Sequence, residues 1–352
     1  MHTIIVGLDI AKAVFQVHAE DGAGKVVQQK RLRRSQVLDF FGKLPAALIG
    51  LEACGSAHYW ARELRALGHE VRLIPAAYVK PFVRRNKTDA RDAAAICVAV
   101  SRPDMRFVTI KSADQQARRG LERSRELLVK QRTQLMNSLR SQMSEHGVIA
   151  AQGRRGYAAL VERVRQPEAE LPEDLVIALG VLADQVEALT ARIDELDARI
   201  AAAAREDDAM RRLMTIPGVG CHLAHAIVAA VSDGRQFSSA RDFAAWCGLT
   251  PLRHDSAQTQ RGKGISRQGD TRLRQLFALG AATIMRNARH RADRATDWQR
   301  GILARRPMKV AVLAQAAKTA RIAWAVLTSG QAYRRPAAAA AAAAGMATNA
   351  AG

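Results

Sequence analysis

Short β-rich runs dominate the first quarter of the chain. Residues 3–10 (TIIVGLDI), 13–20 (AVFQVHAE) and 25–33 (KVVQQKRLR) are separated by small or turn residues, with Asp21-Gly22-Ala23-Gly24 as the second connection. Turn-bounded runs of this kind predict a three-strand meander. Ser35 then opens a helical stretch to Lys43, residues 47–52 (ALIGLE) read as a buried strand, 56–67 as a helix and 70–75 (EVRLIP) as another strand. After the basic stretch Lys80–Lys87, a helix is expected from Thr88-Asp89 to about Val100.

Beyond residue 112 the short β-rich runs give way to a helical period of about three and a half. Leu121, Leu128, Leu135, Leu139 and Met143 fall on one face of a long helix. Leu175, Leu179, Leu182, Val186, Leu189, Ile193, Leu196 and Ile200 alternate spacings of four and three, a heptad seam held for more than three heptads. Such a seam predicts a coiled coil, with the preceding helix or between subunits, or an antiparallel helical hairpin. In the last third, residues 216–231 (IPGVGCHLAHAIVAAV) put a Gly-containing turn before a helix, 248–270 read as a polar, Gly-containing loop, and helices are expected at about 271–289 and 308–328. The predicted organisation is an α/β domain over 1–112, a helical coiled-coil segment over 113–206, a mainly α domain over 207–335, and an Ala-rich, disordered or locally helical tail over 336–352.

Composition narrows the function. The 352 residues exceed what one core usually needs, and 54 Lys plus Arg against 33 Asp plus Glu leave a net charge of +21, so the first partner to consider is a polyanion. The excess is uneven. Residues 207–352 hold 22 basic and 8 acidic side chains, +14 of the +21, whereas 111–206 hold 15 of each. Nineteen of those 22 are Arg, whose planar fork suits phosphate oxygens and guanine edges. Aromatics make up only 5%, which disfavours a single-strand binder built on stacking platforms. The four cysteines (Cys54, Cys97, Cys221, Cys247) are far apart, with no CxxC or His pair at zinc spacing, and read as reduced thiols of a cytoplasmic protein. The N-terminus lacks a basic leader and no run of eighteen apolar residues occurs, so no membrane association is expected.

Four carboxylates in the first domain stand where strand ends and a helix face would gather them. Asp9 ends the first strand, Glu52 ends the later central strand, and Asp89 and Asp92 are spaced to share one helix face. Hard oxygen ligands suit Mg²⁺ or Mn²⁺, and ions held there can stabilise the attacking and leaving oxygens of a phosphoryl displacement. Each residue alone has a structural alternative: the Asp-x-x-Asp as cap or dipole partner, Glu52 as partner of an arginine.

The segments GLDIAKAVF around Asp9, GLEACGSAHYW around Glu52 and NKTDARDAAAI around Asp89 and Asp92 resemble the DEDD motifs of bacterial insertion-sequence transposases with a RuvC-like, ribonuclease-H-type N-terminal domain. LMTIPGVGCHLAHAIVAAV, FAAWCGLTPLRHDS, GKGISRQGDTRLRQLFALGAATI and KVAVLAQAAKTARIAWAVL resemble that family's second, transposase domain, in the same order. The resemblance runs over residues 3–330 and points to the IS-one-ten type, in its IS-eleven-eleven branch. It implies an RNA-guided DNA recombinase in which a structured bridge RNA pairs with donor and target DNA. It further implies that the acids act with a serine that attacks the DNA backbone and forms a covalent 5′-phosphoserine link. Carried onto this chain, the motif places that nucleophile at Ser256, with Ser266 as runner-up; Ala257 follows where family members commonly have Gly. The implied catalytic set is Asp9, Glu52, Asp89, Asp92 and Ser256, the four acids also holding Mg²⁺ (or Mn²⁺).

Basic groups have a simpler expected role. Arg253, Arg261, Lys263, Arg267, Arg272 and Arg274 crowd the segment around Ser256 and would position nucleic acid through phosphate contacts. Gly218 and Gly220 of IPGVG, similar to a helix-hairpin-helix turn, could present backbone N–H groups to a phosphate, and Lys87 and Arg91 flank the acidic helix. The overall reading is a nucleoid-associated transposase that excises and integrates its own element, as a homodimer or homotetramer, with DNA and a guide RNA as partners. Competing readings are a junction endonuclease that uses the same four acids with water, a non-catalytic nucleic-acid scaffold, and a sugar-kinase-like ATPase, the last weakened by the lack of a Gly-rich phosphate loop after Asp9.

Overall fold

The computed structural model describes residues 4–83, 88–166, 171–256, 259–291, 293 and 295–334, without the side chains of 253–263. The chain divides into two compact units, Met1–Gln116 and Ala117–Gly352.

The first unit is α/β. Its elements are β1 (Ile4–Ile10), β2 (Val14–Asp21), β3 (Val26–Arg33), α1 (Val37–Gly42), β4 (Leu48–Glu52), α2 (Ala57–Ala66), β5 (Glu70–Ile74), α3 (Ala76–Val79) and α4 (Asp89–Val100). The five strands form one sheet in the order β3-β2-β1-β4-β5. β1, β2 and β3 are the antiparallel meander expected from the turn signals, and β4 and β5 continue the sheet parallel to β1. Strand alternation divides the side chains between two faces. Val6, Leu8, Phe15, Val17, Ile49 and Leu51 pack against Val37 and Phe41 of α1 and Trp60 and Leu64 of α2. On the opposite face Ile5, Leu48 and Ile74 meet Ile96 and Val100 of α4.

Two glycines set how closely α4 lies on the sheet. A Cβ on Gly7 would stand 1.9 Å from the Ala93 carbonyl oxygen and 2.5 Å from the Cys97 nitrogen, and one on Gly50 would stand 2.7 Å from Val100 Cβ. Only glycine permits this approach of helix to strand. The Cys97 Sγ–H donates to the Ile5 carbonyl at 3.4 Å, within the same contact.

The second unit is mainly helical. It comprises most of α5 (Ala113–Glu145), then α6 (Arg154–Arg165), α7 (Glu173–Glu206), α8 (Asp208–Met214), α9 (Cys221–Ala230), α10 (Ala240–Trp246), β6 (Pro251–Ser256), β7 (Thr259–Ile265), α11 (Thr271–His290), α12 (Asp297–Arg305) and α13 (Met308–Ser329). The heptad seam belongs to α7, and its Leu179, Val186, Leu189, Ile193 and Ile200 are buried within this single chain. α5 runs antiparallel to α7: Arg118 pairs with Asp207 at 2.7 Å, Arg125 with Asp197, and the Arg132 guanidinium donates to Thr190 Oγ1 at 3.5 Å. Leu139 and Met143 of α5, Leu160 and Val164 of α6, and Leu179 and Ala183 of α7 form one core cluster, while a larger one joins α8 to α11 with α13. The seam is therefore satisfied inside the chain and does not itself require a second subunit.

One expectation is corrected. Residues 248–270 are not simply a loop: β6 and β7 pair antiparallel, Arg253 opposite Gly262 and Asp255 opposite Gln260. Their residues lack an apolar alternation, and the ribbon is specified by cross-strand backbone bonds that side-chain patterning does not encode. The tail over 336–352 lies outside the described residues. Among the described residues one helix, α13, is long and apolar enough to cross a membrane by length and composition; Ala316, Ala320, Ala323 and Leu327 place one side of it in the core of the second unit.

Candidate active site

The same sequence, Gly-Leu-acid, closes β1 and β4: Gly7-Leu8-Asp9 and Gly50-Leu51-Glu52. The two strands are parallel neighbours, Gly7 paired with Gly50 and Leu8 with Leu51, so Asp9 and Glu52 lie side by side at their carboxyl ends. Because the side-chain period is two, each acid shares the face of its glycine, which is the face α4 covers. Thr88 caps α4, its Oγ1 accepting from the Arg91 N–H at 3.4 Å, and Asp89 and Asp92 occupy the first turn. The helix is thus laid down by Gly7 and Gly50 with its acidic end at the acidic ends of the strands.

One carboxylate oxygen each from Asp9, Asp89 and Asp92 come within 4.8 Å of one another. Asp9 is partly buried, and its carboxyl is pushed up from 3.8 to about 6, first by burial and then by Asp92, Asp89 and Glu52. Burial, Glu52 and Asp9 likewise raise the Cys54 thiol, which follows the β4 terminus. Three of the four predicted acids therefore meet, and Glu52, at the neighbouring strand end, acts on Asp9 through its charge without joining that group of three. Like charges this close are costly unless a cation intervenes, and the donors are hard oxygens of the kind that Mg²⁺ or Mn²⁺ takes; a divalent-metal site fits these residues.

Of the remaining sequence-predicted residues, Lys87 and Arg91 neighbour Asp89 and Asp92 along the chain and the others belong to the second unit. Arg91 is exposed on the first turn of α4, and Lys87 lies outside the described residues. Ser256 ends β6 opposite Thr259, next to the ribbon's connection; its side chain, and those of Arg253, Arg261 and Lys263, are outside the description. Ser266 follows β7 with its N–H donating to the Thr250 carbonyl at 2.9 Å. Arg267 is exposed, with a positive φ of 56°. Arg274 donates to the carbonyls of Cys247 and Gln268 at 3.3 and 3.1 Å, securing the segment between β7 and α11, and Arg272 stands 3.6 Å from Glu122. Gly218, at φ 79°, lies against Gly280 and Ile284 of α11, where a Cβ would stand 2.6 Å from Ile284 Cδ1; Gly220 caps α9 with open space above it.

Sequence reasoning missed two features. The role of Gly7 and Gly50 was available as the repeated Gly-Leu-acid motif. The other is a buried polar pair, His225 Nδ1 and Glu122 Oε1 at 2.8 Å, joining α9 to α5 beside Arg272. An isolated His in an apolar helix and a Glu among charged neighbours 103 positions away carry no local signal of one another. Arg119, Arg123 and Arg272 with Glu122, Glu126 and Asp270 line a pocket of about 280 Å³ there, three charges of each sign.

Comparison with known proteins adds two family matches. Residues 6–147 match a model described as a transposase, of the DEDD type of IS110, and residues 210–296 match the transposase IS116/IS110/IS902 family. The chain is 47% identical to a probable family 20 transposase of Pseudomonas aeruginosa, over 94% of this chain and 98% of that one. It is 36% identical to the transposase for insertion sequence element IS1328 of Yersinia enterocolitica, over 94% and 98% of the two chains. Against the transposase for IS1111A of Coxiella burnetii the identity is 35%, over 94% and 91%.

Proposed function

Because the chain belongs to the IS110/IS116 family of insertion-sequence transposases, we propose that it excises and integrates its element by metal-assisted cleavage and rejoining of DNA, with Ser256 as the nucleophile. The observation that carries the proposal is the convergence of Asp9, Asp89 and Asp92 within 4.8 Å, with Glu52 at the neighbouring strand end. A divalent ion, Mg²⁺ or Mn²⁺, supplies charge neutralisation to the phosphoryl oxygens when bound. The four acids orient it, and α4 holds two of them on a rigid helix rather than on a loop.

In the proposed step the Ser256 Oγ forms a new P–O bond, the P–O bond to the 3′-oxygen breaks, and the serine proton leaves with the displaced 3′-hydroxyl. The product is a 5′-phosphoserine link and a free 3′ end, and reversal onto a new 3′ end rejoins the strand. A serine hydroxyl is a weak nucleophile without a base, a metal or fixed geometry, and the acids with their ion are assigned that activation. Lys87, Arg91, Arg253, Arg261, Lys263 and Arg267 are assigned phosphate contacts, as are the Gly218 and Gly220 turn and Arg272 and Arg274 at the start of α11. A structured guide RNA, encoded with the element, is the proposed source of sequence selection, and a RuvC-like character is assigned to the first unit on its DEDD match. Recombination needs several strands cut in one complex, so a dimer or tetramer is the proposed working form.

The test is Ser256→Ala in purified protein on element DNA. Loss of a covalent protein-DNA adduct together with loss of strand exchange supports the reading. Strand exchange at the wild-type rate, or cleavage by wild-type protein without any adduct, refutes the serine step and favours hydrolysis by the acids and water.

A further inference from the structure

The sheet row that carries Asp9 ends on an arginine. Asp9 of β1 is paired with Gln16 of β2, and Gln16 with Arg31 of β3. Paired residues in a sheet point to the same face. The alternate set in these strands, Leu8, Phe15 and Leu32, is buried against α1 and α2, so Asp9, Gln16 and Arg31 share the other face. Arg33, two residues further along β3 toward the end at which Asp9 and Glu52 stand, is opposite Val14 and on that face too. Two strand spacings of about 4.8 Å put the Arg31 Cα roughly 10 Å from that of Asp9.

Both arginines are exposed, on the edge strand of the sheet. Neither has an ion pair among the described residues, and the positions opposite them, Gln16 and Val14, carry no charge. The acid further back on this face, Glu20, is engaged with His18 at 2.9 Å, and His18 in turn contacts Gln29 at 3.1 Å. Arg34, the next residue, belongs to the opposite face, where its guanidinium lies 5.0 Å from the Trp60 ring centroid. An edge strand can carry charge merely to deter pairing with other chains, but that function is indifferent to which face and which end the charge occupies. Here the two unpaired guanidiniums are on the face and at the end of the acid cluster.

We propose that Arg31 and Arg33 are positioning residues that grip the DNA strand whose scissile phosphate rests on the acid cluster. They would hold phosphates neighbouring the scissile one on that strand. The proposal rests on the reading of the acids as a metal site for DNA. Guanidinium forks suit this position because they bind phosphate oxygens in pairs and retain their charge at any working pH.

The test uses full-length protein and a fluorescein-labelled duplex carrying the element end, titrated by anisotropy at several KCl concentrations in Ca²⁺. Arg31→Ala with Arg33→Ala is expected to reduce the slope of log affinity against log salt by about two and to weaken binding about tenfold at 0.1 M. In Mg²⁺ the same double variant is expected to raise the DNA concentration for half-maximal cleavage with kcat within about twofold of wild type, and Arg31→Lys with Arg33→Lys to restore the salt slope. Lys25→Ala, which removes one charge from the same hairpin at its opposite end, is expected to change neither measure. An unchanged slope in the double alanine variant, an equal effect from Lys25→Ala, or a loss confined to a single-stranded RNA probe overturns the proposal. Cleavage that survives Asp9→Asn overturns instead the metal reading on which it rests, and the salt slope, measured without turnover, separates the two failures.

Discussion

Asp9→Asn removes one charge from the carboxylates gathered at the ends of β1 and α4, and in metal-free protein it is expected to stabilise the first unit. The Asp9 carboxyl is held at about 6 rather than 3.8, by burial and by Asp92, Asp89 and Glu52. At 1.36 kcal/mol per pKa unit the ionised form costs the native state at most about 3 kcal/mol relative to an unfolded chain. Asp9 is only partly buried, and solvent and salt screen its neighbours, so about 1–2 kcal/mol is the working expectation. The sign follows from linkage: below pH 3.8 the group is protonated in both states and costs nothing, the cost grows as pH rises from 3.8 to 6, and it is full above 6. The variant should therefore match wild type near pH 3.5 and exceed it at pH 8 in EDTA, by roughly 5–10 °C in the melting transition of a unit this size. The assay is thermal unfolding followed by circular dichroism, comparing the two proteins at each pH so that other titrations cancel. Mg²⁺ should reverse the order, stabilising wild type and having less effect on the variant. If Asp9→Asn melts at or below wild type at pH 8 without metal, and their difference does not depend on pH, the like-charge account of this cluster is wrong.

Three further outcomes are expected. Gly7→Ala would put a methyl 1.9 Å from the Ala93 carbonyl, so α4 must move; a loss of roughly 2–4 kcal/mol in urea unfolding is expected, with weaker Mg²⁺ binding by calorimetry, and wild-type stability would refute the glycine's spacing role. Glu122→Ala would leave His225 buried without its partner, costing about 2–4 kcal/mol in unfolding of the second unit, whereas a neutral result would mean that water already satisfies the imidazole. Cys54 is exposed, yet partial desolvation, Glu52 and Asp9 hold its thiol less acidic, so its alkylation by iodoacetamide at pH 8 should accelerate in Asp9→Asn; an unchanged rate would show that the Asp9 charge does not reach the thiol.

Much of the first unit is legible in the chain because its elements are locally specified. The runs bounded by Asp21-Gly22-Ala23-Gly24, the short apolar runs of β1 and β4, and Thr88 ahead of Asp89 place strand and helix ends within a residue or two of those observed. The helices α11 and α13 follow their apolar periods in the same way. The β6–β7 ribbon is the contrary case, since paired backbones rather than patterned side chains make it. The seam on α7 lies between: its period announces that the helix buries a stripe, and only the packing of α5, α6 and α9 shows that the chain covers that stripe itself.

By itself, then, the sequence determined that this protein is basic, with an α/β first part, helical segments after it and four acids at element ends, since each of these is written in local spacing or in composition. Tertiary structure decided that the acids meet. Asp9 and Asp92 are 83 positions apart, and what joins them is the absence of a side chain at Gly7 and Gly50, which lets α4 lie on the sheet with its first turn at the strand ends. It also decided that Arg31 and Arg33 lie on the sheet face of the acids, as set by pairing register and the two-residue period of the sheet, while Arg34, past the end of β3, turns to the Trp60 ring. Spacing along a chain can nominate such residues, but distances between elements are fixed only when the elements pack.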